Sequence, residues 1–367
     1  MDRRKFVRTA GMAGVAGFAA ACGRDGSPNA QCGDGSAASG EVFEWKMATS
    51  WPRDFPGLGV GASRLAEKIG KLSNGRLKVR LFAANELVPP FEVFDAVERG
   101  TVEMGHAAPY YWKGKVPACQ IFAGPPFGMT AQELNGWLYY GGGLELWREA
   151  YAPFGIIPFP VGNSSMQMGG WFNRQINSLD DLQGLVMRIP GIGGEVLNRA
   201  GGTAMSLPGA EIFTALQTGT IDATEWVGPY NDQAFSLPRA AKHYYYPGWH
   251  EPGTALEGIV NAEAYSALPD DLQQIVETAC QAATMDMLSE FMARNGDSLA
   301  QMREAGVDIR PFPDDVLGEL KRISLEVMEE LAHSDEMSAK TWNSFRAFSE
   351  TVQGWTDLSE KAYLNQR

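Results

Sequence analysis

Glu92-Val-Phe-Asp-Ala-Val-Glu-Arg-Gly-Thr-Val-Glu103 returns later in the chain as Glu211-Ile-Phe-Thr-Ala-Leu-Gln-Thr-Gly-Thr-Ile-Asp222. Each copy spaces its apolar residues as an amphipathic helix does. Each then reaches a glycine, Gly100 or Gly219, suited to a left-handed helix C-cap, and enters a short apolar strand. One helix-to-strand unit used twice predicts an α/β fold of two similar lobes.

The segments beyond the two copies differ in chemistry. The first copy runs into His106-Ala-Ala-Pro-Tyr110-Tyr111-Trp112, the second into Glu225-Trp226-Val-Gly-Pro-Tyr230. Ligands of open α/β sheets bind outside the carboxyl ends of strands, so both segments are expected to line a cleft between the lobes that closes on a small solute.

Outward from the repeat, Leu77–Phe82 reads as a strand and Gly61–Leu72 as a helix, the alternation expected of α/β lobes. We assign 41–165 plus 254–293 to lobe I and 166–253 plus 294–330 to lobe II. Phe154–Asn173 is the first crossing, and the returns fall near 254 and 294. From residue 269 onward the pattern is helical: Asp270–Asn295, Pro313–His333 and Glu336–Trp355. Residues 331–367 form a C-terminal helical extension. The apolar stripes of the C-terminal helices, with Met328, Leu331, Trp342 and Phe345, suit either packing on their own lobes or exchange in a homodimer.

The chain begins Met1-Asp2-Arg3-Arg4-Lys5-Phe6-Val7-Arg8, followed by a weakly apolar, Gly/Ala-rich run to Ala21 and then Cys22. This resembles a twin-arginine export signal over 1–21, too short for the roughly 20 residues of a membrane span. Ala-Ala-Ala-Cys22 is similar to a lipoprotein cleavage site, with alanine where leucine is more typical, so Cys22 is a candidate lipid anchor. Residues 22–40, rich in Gly, Ser, Ala, Asp and Asn, read as a flexible tether. The expected location is the periplasm.

The 367 residues carry a formal charge of -13, and 44% are hydrophobic. Without 1–21 the charge becomes -16, because Arg3, Arg4, Lys5 and Arg8 leave with Asp2. Such an acidic body repels nucleic acid and anionic lipid. Four cysteines, at 22, 32, 119 and 280, share no metal or redox spacing, and a Cys119–Cys280 disulfide is left open. The histidines at 106, 243, 250 and 333 form no His-Glu-x-x-His motif, and neither a Gly-x-Ser-x-Gly elbow nor a P-loop lysine occurs. We expect no enzyme and no organic cofactor. An exported redox enzyme is the alternative from another class. Gly191-Ile-Gly193-Gly194 reads as a turn into a helix rather than a dinucleotide fingerprint.

Ser178-Leu-Asp-Asp-Leu-Gln-Gly-Leu-Val-Met-Arg188-Ile-Pro190, Gly209-Ala-Glu211 and Ala215-Leu-Gln-Thr-Gly219-Thr-Ile-Asp222 together resemble the extracytoplasmic receptors of tripartite ATP-independent periplasmic (TRAP) transporters. The resemblance covers essentially the whole chain after the leader. Gln167-Met-Gly-Gly-Trp171-Phe-Asn173, Glu225-Trp226 and Trp249-His-Glu251-Pro-Gly253 are similar to the branch that binds 2-oxo acids. The resemblance implies capture of a pyruvate-like acid together with a cation, and delivery to a TRAP membrane permease. Lactate, another hydroxy acid or a dicarboxylate are the alternatives on the same fold.

Arg188, at a strand end before Pro190, offers the planar fork that grips a carboxylate bidentately, and the family's carboxylate-binding arginine matches this position. Glu225 facing an anionic ligand needs a positive charge between them, which a bound cation supplies. Oxygens of Glu225, Gln167, the Trp226 carbonyl and the ligand suit a hard cation, Na⁺ or Ca²⁺. Glu251 joins the cation, bridges to substrate or merely occupies the Pro252-Gly253 turn. Tyr110, Tyr111, Trp171 and Trp226 are expected as cleft walls, and Asn173 as a further substrate contact.

Overall fold

The computed structural model describes residues 40–367, which form one compact unit. The leader at 1–21, the tether and the Cys22 anchor lie outside the described residues. Among those described, no helix is long and apolar enough to cross a membrane.

The strands are β1 (Phe43–Thr49), β2 (Leu77–Phe82), β3 (Met104–Ala107), β4 (Ile156–Asn163), β5 (Gly170–Phe172), β6 (Val186–Arg188), β7 (Thr203–Met205), β8 (Ala223–Thr224), β9 (His243–Tyr246), β10 (Ala255–Asn261) and β11 (Asp308–Pro311). They form two sheets, ordered β2-β1-β3-β10-β4 and β11-β9-β5-β8-β6-β7. In the first, β1 runs parallel to β2 and β3, while β10 is antiparallel to both of its neighbours. In the second, β6 is parallel to β7 and β8, and β5 is antiparallel to β8 and β9. The chain is therefore bilobal α/β, one sheet to each lobe.

The repeat takes equivalent places in the two sheets. Helices Val93–Glu98 and Gly209–Gln217 end at Gly100 and Gly219, with φ of 67° and 75°. Thr101 N donates to Ala96 O and Thr220 N to Ala215 O, both at 2.9 Å, the 6→1 bond of a Schellman cap. The chain then enters β3 in one sheet and β8 in the other.

Two short links pass between the sheets, 164–169 from β4 to β5 and 247–254 from β9 to β10. The crossing expected near 294 falls within one continuous helix. Helix Asp270–Glu304 is continuous there, because its buried stripe runs on from Met287 and Phe291 to Ser298 and Met302. It packs against β4 of one lobe and helix Pro229–Ala234 of the other.

Helix Asp314–Ser334 packs on Gly191–Arg199, and Glu336–Leu358 returns over it to touch helices Ala131–Tyr140 and Gly143–Tyr151. Trp342 and Phe345 are buried, and Phe345 meets Trp137 edge-on at 5.2 Å. The extension thus spends its apolar stripe on its own chain. Cys119 and Cys280 are free thiols buried in separate hydrophobic clusters, so the disulfide left open by the sequence does not join them.

Candidate ligand and cation site

β6 and β8 are neighbouring parallel strands in register Arg188↔Thr224, so their carboxyl ends set Arg188 beside Glu225. The Arg188 side chain is 1% exposed and that of Glu225 0%. Arg188 Nη1 contacts Glu225 Oε1, Nε donates to Leu207 O at 3.2 Å, and the guanidinium lies 5.1 Å over the Trp226 ring. A buried ion pair repays its desolvation only when its remaining donors and acceptors are also met. Here they are not, since Arg188 Nη2 and Glu225 Oε2 have no hydrogen-bond partner.

The interlobe links bring the rest. Gln167 Nε2 donates to Glu251 Oε2 at 2.8 Å and to Ser164 Oγ at 2.9 Å, and Thr254 Oγ1 donates to the same Glu251 oxygen at 2.5 Å. With its amide nitrogen committed to a carboxylate, Gln167 keeps Oε1 buried and unpaired. Trp226 Nε1 is likewise unpaired. His250 sets Nε2 3.4 Å from Glu225 Oε2, and neither of its ring nitrogens has a hydrogen-bond partner.

Trp51, Tyr110, Tyr111, Ser164, Gln167, Arg188, Trp226 and Thr254 line a cavity of about 20 Å³ between the lobes, room for roughly one water molecule. The lobes are drawn together around it. Trp51 of the first meets Trp226 of the second at 6.3 Å, Phe55 stacks on Phe235 at 4.1 Å, and Asn231 Nδ2 donates to Pro56 O at 2.9 Å. Two larger depressions are open to solvent, and most of their charges are paired, Arg199 with Glu330 and Arg148 with Glu277. Neither offers convergent unpaired groups.

Burial pushes the Tyr111 hydroxyl up to about 12 and Tyr110 well above its ordinary range, so both are neutral donors. Burial, aided by the charge of Glu225, raises Glu251 to about 7. No group of three or more His, Cys, Asp and Glu side chains forms a metal cluster among the described residues. The oxygens gathered here, the Glu225 carboxylate and the unpaired Gln167 amide oxygen, are hard donors of the kind that suit Na⁺ or Ca²⁺ rather than a soft metal.

Two expected contacts fall elsewhere. Trp171 lies beneath the cleft, stacked on Tyr244 at 4.0 Å with Nε1 donating to Asp232 Oδ2 at 2.9 Å. Asn173 is exposed past the end of β5, tied to Asp222 O and Leu216 O. The period of two along β5 and its short length carry both away from the ligand space. The sequence alone does not single out Trp51, Ser164, Thr254 or His250. Trp51 follows the carboxyl end of β1, the place where a ligand contact is expected. The other three sit in the interlobe links, where no periodic pattern marks them.

Residues 47–335 match the family model described as bacterial extracellular solute-binding protein, family 7. A protein of Nostoc sp. named monocarboxylate 2-oxoacid-binding periplasmic protein is 40% identical over the full chain and 98% of its own length. Two crystal structures of TRAP periplasmic solute-binding proteins each share 42% identity and a TM-score of 0.87 over 89% of this chain and all of theirs. The protein from Colwellia psychrerythraea holds calcium and pyruvate, and that from Pseudoalteromonas atlantica holds sodium and pyruvate. Fold, enclosed interlobe site and sequence match agree, and the chain belongs to the family 7 bacterial extracellular solute-binding proteins, the receptors of TRAP transporters.

Proposed function

We propose that this chain captures a small 2-oxo monocarboxylate of the pyruvate type together with Na⁺ or Ca²⁺ and hands it to a TRAP permease, binding without turnover. The observation that carries this is the set of buried unpaired atoms gathered where the lobes meet: the donors Arg188 Nη2 and Trp226 Nε1 and the acceptors Glu225 Oε2 and Gln167 Oε1. Two donors suit the anion and two oxygens the cation. Relatives holding pyruvate with calcium or sodium support the pairing.

In this reading Arg188 grips the carboxylate, and Glu225, Gln167 and the Trp226 carbonyl would hold the cation, whose charge would offset that of Glu225 beside the anion. Glu251 holds Gln167 in place and adds negative charge. Tyr110, Tyr111 and Trp51 exclude water. The Arg188–Glu225 contact then loosens as each partner gains its own counter-charge, so anion and cation bind cooperatively. The same reading has the chain exported by its twin-arginine-type leader, with Cys22 as a candidate lipid anchor and the exposed Trp355 and Leu358, beyond the buried stripe, as the surface a second copy would meet.

Calorimetric titration of the purified protein with pyruvate, in calcium, in sodium and with neither, tests it. The expected result is micromolar or tighter binding that needs a cation and yields no product. Equal affinity with every cation removed, or no binding in any salt, overturns it.

A further inference from the structure

Asp232 is a buried carboxylate, 1% exposed, that faces no cation. One oxygen accepts from Trp171 Nε1 at 2.9 Å and Tyr244 OH at 2.7 Å, while the other accepts from Val227 N at 3.2 Å. The cost of burying it is met by three neutral donors, two of them on the β5 and β9 strands of the second sheet. Its third donor belongs to the segment that bears the site.

The peptide joining Trp226 to Val227 is trans, so its C=O and N–H point in opposite directions. With the N–H held by Asp232 beneath the cleft, the Trp226 carbonyl is turned away from Asp232. We propose that Asp232 is the positioning residue that aims the Trp226 carbonyl at the cation, with Trp171 and Tyr244 locking its rotamer. This rests on the cation-dependent function proposed for the site and extends it to groups that never touch the ligand.

The test is a calcium and a sodium titration at fixed pyruvate, on the wild-type chain, Asp232→Asn and Tyr244→Phe. Partners that orient metal ligands are worth roughly 10–100-fold in metal affinity. Asp232→Asn, whose amide nitrogen cannot accept from these donors, is expected to weaken calcium by about tenfold or more, and sodium by less because the energy of a well-aimed carbonyl scales with the charge of the ion. Pyruvate affinity at saturating calcium should fall by less than about threefold. Tyr244→Phe, which removes one donor and leaves the carboxylate, should weaken calcium a few-fold in the same direction. An Asp232→Asn protein that folds and keeps its calcium affinity, or loses calcium, sodium and saturated pyruvate affinity equally, overturns the proposal. Should Asp232→Asn not fold, an unchanged calcium affinity in Tyr244→Phe overturns it and a selective loss supports it. A wild-type chain that binds pyruvate without any cation removes the functional reading, and this inference with it.

Discussion

His106 and Glu225 emerge from equivalent units in the two lobes, and both are fully buried. His106 accepts from Trp51 Nε1 at Nδ1, 2.7 Å, and donates through Nε2 to Val161 O, 3.1 Å, so neither ring nitrogen is left over. Glu225 keeps Oε2 unpaired and sits against an arginine with an unpaired nitrogen of its own. The same backbone device thus yields a finished scaffold in one lobe and an unfinished site in the other. An unfinished buried polar set is costly unless a ligand completes it.

The sharpest way to break this comparison is Arg188→Ala. If the second lobe's polar set is completed by ligand, the variant should lose about 2–5 kcal/mol of carboxylate affinity, roughly 30- to 5,000-fold in Kd. A double-mutant cycle with Glu225→Gln should show the two losses to be non-additive, because the side chains touch. Wild-type affinity in the alanine variant would remove Arg188 from the site.

Much of this arrangement is legible in the sequence, for reasons that differ by residue. Arg188 and Glu225 stand at ends of apolar strands, and strand direction alone places such residues at one edge of a parallel pair. The repeat is legible because helix period, glycine cap and strand occur in a fixed order. Trp171 misleads, since an aromatic in a motif looks alike whether it faces ligand or core, and only its stacking on Tyr244 decides. The crossing expected near 294 lies inside helix Asp270–Glu304, where no helix end marks it and packing on both lobes carries the chain across. His250, Ser164 and Thr254 lie in irregular links, where position depends on tertiary closure.

Glu257 sharpens the comparison within the first lobe. It is as buried as Glu225 but has no cation beside it, accepting instead from Trp112 Nε1 and from Tyr151 OH at 2.9 Å. Burial raises it from 4.5 to about 8, against the opposing pull of those two donors. The folded chain therefore holds a proton that the unfolded chain releases, and stability falls as pH rises from about 4.5 to about 8. Glu257→Gln should remove that loss. Thermal unfolding should find the variant near wild type at pH 5 and more stable by about 2–4 kcal/mol at pH 8.5. A difference independent of pH would mean that Glu257 is ionised in the fold.

The smallest effect is expected at His106, and it has the opposite sign. Burial lowers its pKa from 6.5 to about 4, with the Nε2 bond to Val161 O opposing. Here the unfolded chain binds the extra proton, so stability is full above about 6.5 and falls as pH drops toward 4. His106→Gln should cost about 1 kcal/mol at pH 7.5, since a single amide reproduces only part of the two-sided bonding. On going to pH 5 the difference should shift by about 2 kcal/mol in the variant's favour, which cancels or reverses the gap, as the wild type alone loses stability there. Carboxylate affinity should change by less than about threefold, because Trp51 is also held by its packing on Tyr111 and Trp226. Chemical denaturation at the two pH values, with a pyruvate titration at each, reads all three quantities. A large affinity loss at constant stability would instead make His106 part of the ligand site, and the contrast between a finished lobe and an unfinished one would fail.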